Sequence, residues 1–173
     1  MVLSWLYKKW RGTAQFFPAS LFLASVLLCS GGVVPMAQAQ QASPLSEEGL
    51  WLVEGKDGIF RIGPCQPGGG NLCGWLVGMD YTTPEPDKDV WGRSECGLQI
   101  ISDMKRGENG RWNGHVLDPG SGRSYSARLW LDKHGRLKLL GYLGLPLFGQ
   151  VQRWTRYQGP PIGEKCHMAS DRK

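Results

Sequence analysis

Hydrophobic and polar positions alternate along most of the chain beyond residue 48, and turn residues cut the alternation into short segments. Residues 111–118 set Trp112, Gly114 and Val116 on one face and stop at Asp118-Pro119-Gly120-Ser121-Gly122. Residues 123–131 set Tyr125, Ala127, Leu129 and Leu131 on one face and stop at Asp132-Lys133-His134-Gly135. The segments 49–54, 58–63, 72–79, 96–104, 136–142 and 150–157 read the same way. Period-2 patterning closed by frequent turn signals predicts antiparallel strands. With one long connection, 80–95, and no strongly helical stretch, the expected fold is all-β: an antiparallel, eight-stranded up-and-down barrel. Such a barrel leaves an interior just wide enough for side chains or one small ligand. A two-sheet sandwich stays open as the alternative.

Several of these segments are apolar on both faces. Trp75, Val77 and Met79 oppose Leu72 and Leu76, and Trp130 opposes Leu129 and Leu131. One face of each reaches the core, and the other needs a cover: the tail, a second subunit or a partner.

The first 39 residues are expected to be a cleavable signal peptide. Lys8, Lys9 and Arg11 form a positive head, an apolar run follows, and Ala37-Gln38-Ala39 is a small-residue cleavage site. The run is short for a spanning helix, which needs about 20 residues. The organisation read from this is signal peptide 1–39, polar leader 40–48, barrel 49–157 and C-terminal tail 158–173. Export implies a periplasmic or secreted protein with no membrane span in its mature part. Removing the three basic residues of the head takes the net charge from +5 to about +2, so a nucleic-acid surface is not supported.

Cys65, Cys73, Cys96 and Cys166 remain, an even number in an exported chain, which argues for disulfides. Four cysteines permit three connectivities. Cys65 and Cys73 flank the turn-forming run Pro67-Gly68-Gly69-Gly70-Asn71, so that pair is favoured and Cys96–Cys166 follows by remainder. The spacing around Cys166-His167 fits no usual zinc pattern, and no metal or other cofactor is expected.

Several turns and strand ends together resemble a bacterial family known as domain of unknown function 2147. The resemblance is carried by Trp112-x-Gly114, Asp118-Pro119-x-x-Gly122-x-x-Tyr125-x-Ala127-x-Leu129, Leu137-Lys138-x-x-Gly141-Tyr142-x-Gly144 and Gln152-x-Trp154-Thr155-Arg156. Gly49-x-Trp51, Leu72-Cys73-Gly74 and Cys96-Gly97-Leu98 add to it. It implies an exported protein with a lipocalin-like barrel and no established activity, so no catalytic residues carry over. The long connection departs from the family: it carries Pro84, Glu85, Pro86, Asp87 and Asp89 where an Asn-Pro pair and more basic residues are usual. Gly49-Leu50-Trp51 and Arg156 also look like the lipocalin kernel, in which a last-strand arginine lies over a first-strand tryptophan. Trp51, Trp154 and Arg156 therefore read as structural, with Arg153 the competing arginine.

The chemistry-bearing residues point to binding more than to catalysis. His115, His134 and His167 stand in no H-E-x-x-H or G-x-S-x-G frame, and the chain is not expected to be an enzyme. The acidic connection lacks the order of a calcium loop. Six tryptophans in the mature part leave room for an aromatic-lined cup, with Trp112, Tyr125, Tyr142 and Asp118 as candidate ligand-binding residues. The expected partner is a small apolar or amphipathic molecule at the barrel mouth. The alternatives are an envelope protein recognised through 80–95, or an enzyme with His115 in a polar cluster inside the barrel.

Overall fold

Every strand pairs with its neighbours in sequence, and the last pairs with the first. The strands are β1 (Gly49–Leu52), β2 (Gly58–Pro64), β3 (Leu72–Met79), β4 (Gln99–Arg106), β5 (Trp112–Asp118), β6 (Arg123–Leu131), β7 (Leu137–Tyr142) and β8 (Gln150–Arg156). All pairings are antiparallel, and the order β1 to β8 closes into a barrel. The computed structural model describes residues 47–169. The expected signal peptide 1–39, the leader up to residue 46 and the final residues of the tail lie outside the described residues.

Closure depends on a short seam. β1 and β8 share only the pairs Trp51–Arg156 and Leu52–Thr155, whereas β5 and β6 pair along their length from Trp112–Leu129 to Asp118–Arg123. Paired residues share a face, so the register assigns the interior directly. Trp51 and Phe60 point inward together, as do Leu129, Leu139 and Gln152 across β6, β7 and β8. Phe60 stacks on Trp154 at 4.7 Å between ring centroids. These rings join Ile62, Leu72, Leu76, Ile101, Met104, Trp112, Val116, Ala127 and Leu137 in one buried cluster.

β4 departs from simple alternation and from the expected 96–104 segment. Cys96-Gly97-Leu98 alternates in sequence but folds as a turn: Gly97 has φ +77°, and the Leu98 N–H donates to the Glu95 carbonyl at 3.1 Å. Ile100 and Ile101 are both buried, the register shifts between Ser102 and Lys105, and Asp103 sits at φ +51°. Bulges of this kind re-aim side chains and bend a strand. Here the bulge returns Met104 to the interior, where it is fully buried.

Several outward apolar positions are covered by this chain itself. The Arg61 guanidinium lies 4.2 Å from the Trp75 ring centre, and that of Arg111 lies 4.4 Å from Trp130. Stacked arginines shield the rings while keeping their charge in water. The tail provides the second cover. Its Met168 N–H donates to the Met79 carbonyl at 3.0 Å, and Met168 is itself buried. Ile59 pairs with the outward Leu52 yet has no exposed surface, which places it on the outer face of the wall that the tail overlies. Cys96–Cys166 fastens the tail to the long connection, and Cys65–Cys73 ties the β2–β3 hairpin, the pairing favoured above.

One five-residue turn recurs. Asp89-Val90-Trp91-Gly92-Arg93 and Asp132-Lys133-His134-Gly135-Arg136 share Asp, Gly and Arg at the same offsets. In each, the Asp N–H donates to the Arg carbonyl and the Gly N–H to the Asp carbonyl, all at 2.9–3.0 Å. The glycines take φ +78° and +70°, which a side chain disfavours. In each, one Asp oxygen accepts backbone N–H bonds, from Trp91 and Arg93 or from His134 and Arg136. The other oxygen accepts the arginine Nε, at 2.7 and 2.9 Å. Gly107 to Arg111 makes the same backbone turn without the carboxylate.

Candidate functional site

Strand direction sorts the loops into two sets. The connections 65–71, 107–111 and 132–136 lie at one end of the barrel; 53–57, 80–98, 119–122 and 143–149 lie at the other.

The first end is plugged. Trp51 is fully buried, its Nε1 donates to the Glu47 carbonyl at 2.8 Å, and the Arg156 guanidinium lies 4.2 Å from its ring centre. The Arg156 Nη1 also donates to the Glu48 carbonyl, so ring, arginine and entering backbone form one cap. Gly49 makes this possible: its φ is +125°, and a Cβ there would run into the Arg156 guanidinium. A second pair repeats the arrangement. Arg106 lies over Trp112 at 5.2 Å and reaches the Glu47 carboxylate at 3.9 Å. Arg153, the competing arginine, faces outward and pairs with Glu54 at 3.3 Å.

The second end is a rim. The partly buried apolar residues Tyr81, Leu98 and Tyr125 pack on the core from this side. Around them stand exposed apolar side chains in two groups. Val90 and Trp91 project from the long connection and lie against Gly122 of the β5–β6 turn. Leu143 (65 % exposed), Leu145 (63 %), Leu147 (86 %) and Phe148 (76 %) project from the β7–β8 connection. That connection holds a 3-10 turn, Pro146–Phe148, with the Phe148 and Gly149 N–H groups bonded to the carbonyls of Leu145 and Pro146 at 3.1 Å.

The four residues expected to share a ligand site are not together. Trp112 starts β5 at the plugged end, 9 % exposed, and belongs to the core; its Nε1 has no hydrogen-bond partner. Tyr125 pairs with Val116 and faces inward at the rim. Tyr142 pairs with Ser126, and the parity set by Leu137 and Leu139 turns it outward, where Arg128 lies 5.7 Å from its ring centre. Asp118 is committed to its turn: one oxygen accepts the Gly120 N–H at 3.0 Å and the other the Ser121 hydroxyl at 2.6 Å. A common mouth site for all four is therefore corrected, because β5 separates two of them along the barrel axis and strand parity removes a third. Tyr125 and Asp118 stand at the rim, Asp118 with its carboxylate bonded within its turn.

The other titratable groups are similarly accounted for. His115 lies on the outer face, exposed; His134 sits in its turn; His167 packs edge-on against Tyr81 at 4.9 Å. Within the acidic connection, burial pushes the Asp89 carboxyl up, but hydrogen bonds from Arg93 and Trp91 outweigh it and hold it below the usual range. Asp132 balances the same way, with Arg136 and the His134 N–H holding it well below the ordinary carboxylate range. Glu95 goes the other way: burial raises it, with Asp87, Asp89 and Asp118 adding repulsion, and its Oε2 has no hydrogen-bond partner. Glu85 pairs with Lys165 of the tail and raises the ammonium. No group of three or more His, Cys, Asp or Glu suited to a metal occurs among the described residues.

Sequence reading passed over two features of the rim. The signal for the β7–β8 loop is the uncharged stretch 139–152, which carries four large apolar residues after its strand has ended. The signal for the turn at Asp89 is the Asp-x-x-Gly-Arg spelling it shares with 132–136. A separate pocket of about 380 Å³ lies beside the tail, lined by Leu52, Lys56, Asp80, Tyr157, Pro160 and Met168 among others.

Comparison with known proteins agrees with this architecture. The solved structure described as "Protein HP1028 from the human pathogen Helicobacter pylori belongs to the lipocalin family" superposes with a TM-score of 0.55 at 15 % identity, covering 66 % of this chain and 85 % of that one. At that identity the likeness is one of fold: a lipocalin-like barrel. No curated protein matches the chain. A family model described as "uncharacterized protein conserved in bacteria" matches residues 49–156, the whole barrel from the first residue of β1 to the last of β8. The chain belongs to that family, DUF2147.

Proposed function

We propose that this protein is an exported, non-enzymatic binding module of the bacterial envelope, periplasmic or secreted, whose rim takes a small apolar or amphipathic molecule without any cofactor. One observation carries the reading: the barrel is sealed at one end by Trp51, Arg156, Trp112 and Arg106, while the partly buried apolar residues Tyr81, Leu98 and Tyr125 gather at the other. Buried rings fill the interior below them, so the site is a shallow cup at the rim and not a deep calyx. The two disulfides are consistent with an oxidising, extracytoplasmic compartment. Among the described residues no helix is long and apolar enough to cross a membrane.

Recognition of a protein through the acidic connection has less support. Asp89 is buried in its own turn and Glu85 is engaged by Lys165, so the loop presents less charge than its composition promises.

The test is native mass spectrometry of the mature protein purified from its own periplasm, with organic extraction of whatever it retains. A defined added mass, reduced in Tyr125→Asp, is the expected result. A bare polypeptide mass, together with no uptake of a fatty-acid series by the purified protein, would sink the proposal.

A further inference from the structure

We propose that the β7–β8 corner docks on an anionic lipid surface, with Leu143, Leu145, Leu147 and Phe148 entering the interface and the outer wall of β6–β8 lying against the headgroups. The inference does not depend on what the rim cup binds. The loop itself is the first argument. From Leu143 to Gly149 it has no polar side chain, and its four large apolar residues are all at least 63 % exposed. Protein interfaces rely on directional hydrogen bonds around an apolar centre, and this loop has no side chain to make them. Insertion into a lipid interface needs none, provided backbone groups are satisfied. Here Pro146 has no N–H, and those of Phe148 and Gly149 are bonded within the loop.

Charge complementarity supplies the second argument. From residue 123 to 153 the chain carries Arg123, Arg128, Lys133, Arg136, Lys138 and Arg153 against one carboxylate, Asp132. The register places Arg128, Lys138 and Arg153 on the outer face beside Leu140, Tyr142 and Val151. Asp132 reaches Lys138 at 3.6 Å, and Glu54 of the β1–β2 turn pairs with Arg153. Of the other carboxylates at the rim, Asp80, Glu85, Asp87, Asp89 and Glu95 belong to the connection that follows β3, Asp57 to the β1–β2 turn, and Asp118 ends β5 with its oxygens bonded within its own turn. The outer wall that leads to the apolar loop therefore carries Arg128, Lys138 and Arg153, whereas Lys133 and Arg136 stand at the opposite end of the barrel. Basic residues beside an apolar insertion are the recurring means of holding a protein on anionic lipid.

The experiment is flotation of the mature protein with vesicles of phosphatidylglycerol and phosphatidylethanolamine, and with vesicles of phosphatidylcholine alone. Wild type should bind the anionic vesicles about tenfold more tightly or better, in a salt-sensitive way. Leu147→Asp/Phe148→Asp should lose that binding with an unchanged melting temperature, since both side chains are exposed. Arg128→Gln/Arg153→Gln should weaken it and flatten its salt dependence. Failure of wild type to float with either vesicle overturns the proposal, as does equal binding by the Leu147/Phe148 variant. Concentration-dependent self-association that the variant abolishes, without vesicle binding, would assign the loop to a second copy of the chain and also overturn it.

Discussion

The two ends of this barrel treat the same residue types in opposite ways. At the plugged end, Trp51 and Trp112 are buried, and each is covered by an arginine from another strand. At the rim, Trp91 is more than half exposed, and its arginine comes from its own turn, where Arg93 lies 4.8 Å from the ring centre. An aromatic covered by an arginine of the paired strand ties two strands of the wall together, and for Trp51 and Arg156 those are the first and the last; one covered from its own turn holds only the turn. Buried aromatic packing therefore concentrates at the first end, while the second carries exposed apolar surface.

The sharpest way to break this contrast is at Trp51. Trp51→Ala should destabilise by about 3–5 kcal/mol, read as the midpoint of urea unfolding. A loss no larger than that of Trp91→Ala would remove the distinction between the ends. The disulfides come next, because Cys65–Cys73 lies at the plugged end and Cys96–Cys166 at the rim. Their sequence separations are 8 and 70 residues. In the chain-entropy account, replacing the long-range pair by alanine costs roughly 4 kcal/mol and replacing the short one roughly 2.5 kcal/mol. Paired unfolding curves of the two double variants measure the difference. Equal losses would show that the long bridge constrains less than its separation implies.

The twin turns allow a finer comparison, since one stands at each end. Asp89 and Asp132 both have folded pKa values below their ordinary ones. Each therefore contributes stability that is present above the unfolded value near 3.8 and lost as pH falls toward the folded one. Asp132→Asn should lower neutral-pH stability and flatten the acid limb of a melting-temperature profile, and Asp89→Asn should do the same. Glu95 has the opposite sign. Its raised pKa means that the folded state loses stability as pH rises through the unfolded value, near 4.5, to the folded one, so Glu95→Gln should raise the melting temperature at neutral pH. The smallest effect belongs to the rim loop: Leu147→Ser/Phe148→Ser should leave stability within about 0.5 kcal/mol of wild type. A large loss there would mean the loop is structural after all.

These two ends were not equally legible from the amino-acid order. Alternation located all eight strands, most boundaries lying within a residue or two of those observed, because a barrel wall imposes period 2 wherever one face is buried. It failed at β4, where a turn glycine and a bulge break the period. Gly49, Trp51 and Arg156 were readable because the cap constrains residue identity: one position excludes a side chain, one fills the floor and one must stack. The rim carries no such constraint. Tyr142 and Tyr125 look alike in sequence, and only the pairing of Leu137 with Leu131 and of Leu139 with Leu129 shows that Tyr142 faces out. Leu140, buried on the outer side, hid that parity. Trp112 and Asp118 seemed one site because they are near in sequence, yet a strand places its two ends a barrel's height apart.

The short seam has a consequence for how the molecule comes into being. β1 is the first strand of the barrel to be made, but its second partner is the last. Until β8 arrives, the backbone groups of Trp51 and Leu52 on that side have no mate, and Trp51 lacks the guanidinium that will cover it. Without β8 the remaining strands form an open sheet with one edge of β1 unpaired. Loss of the last few barrel residues would not trim this protein; it would leave it permanently unbuttoned.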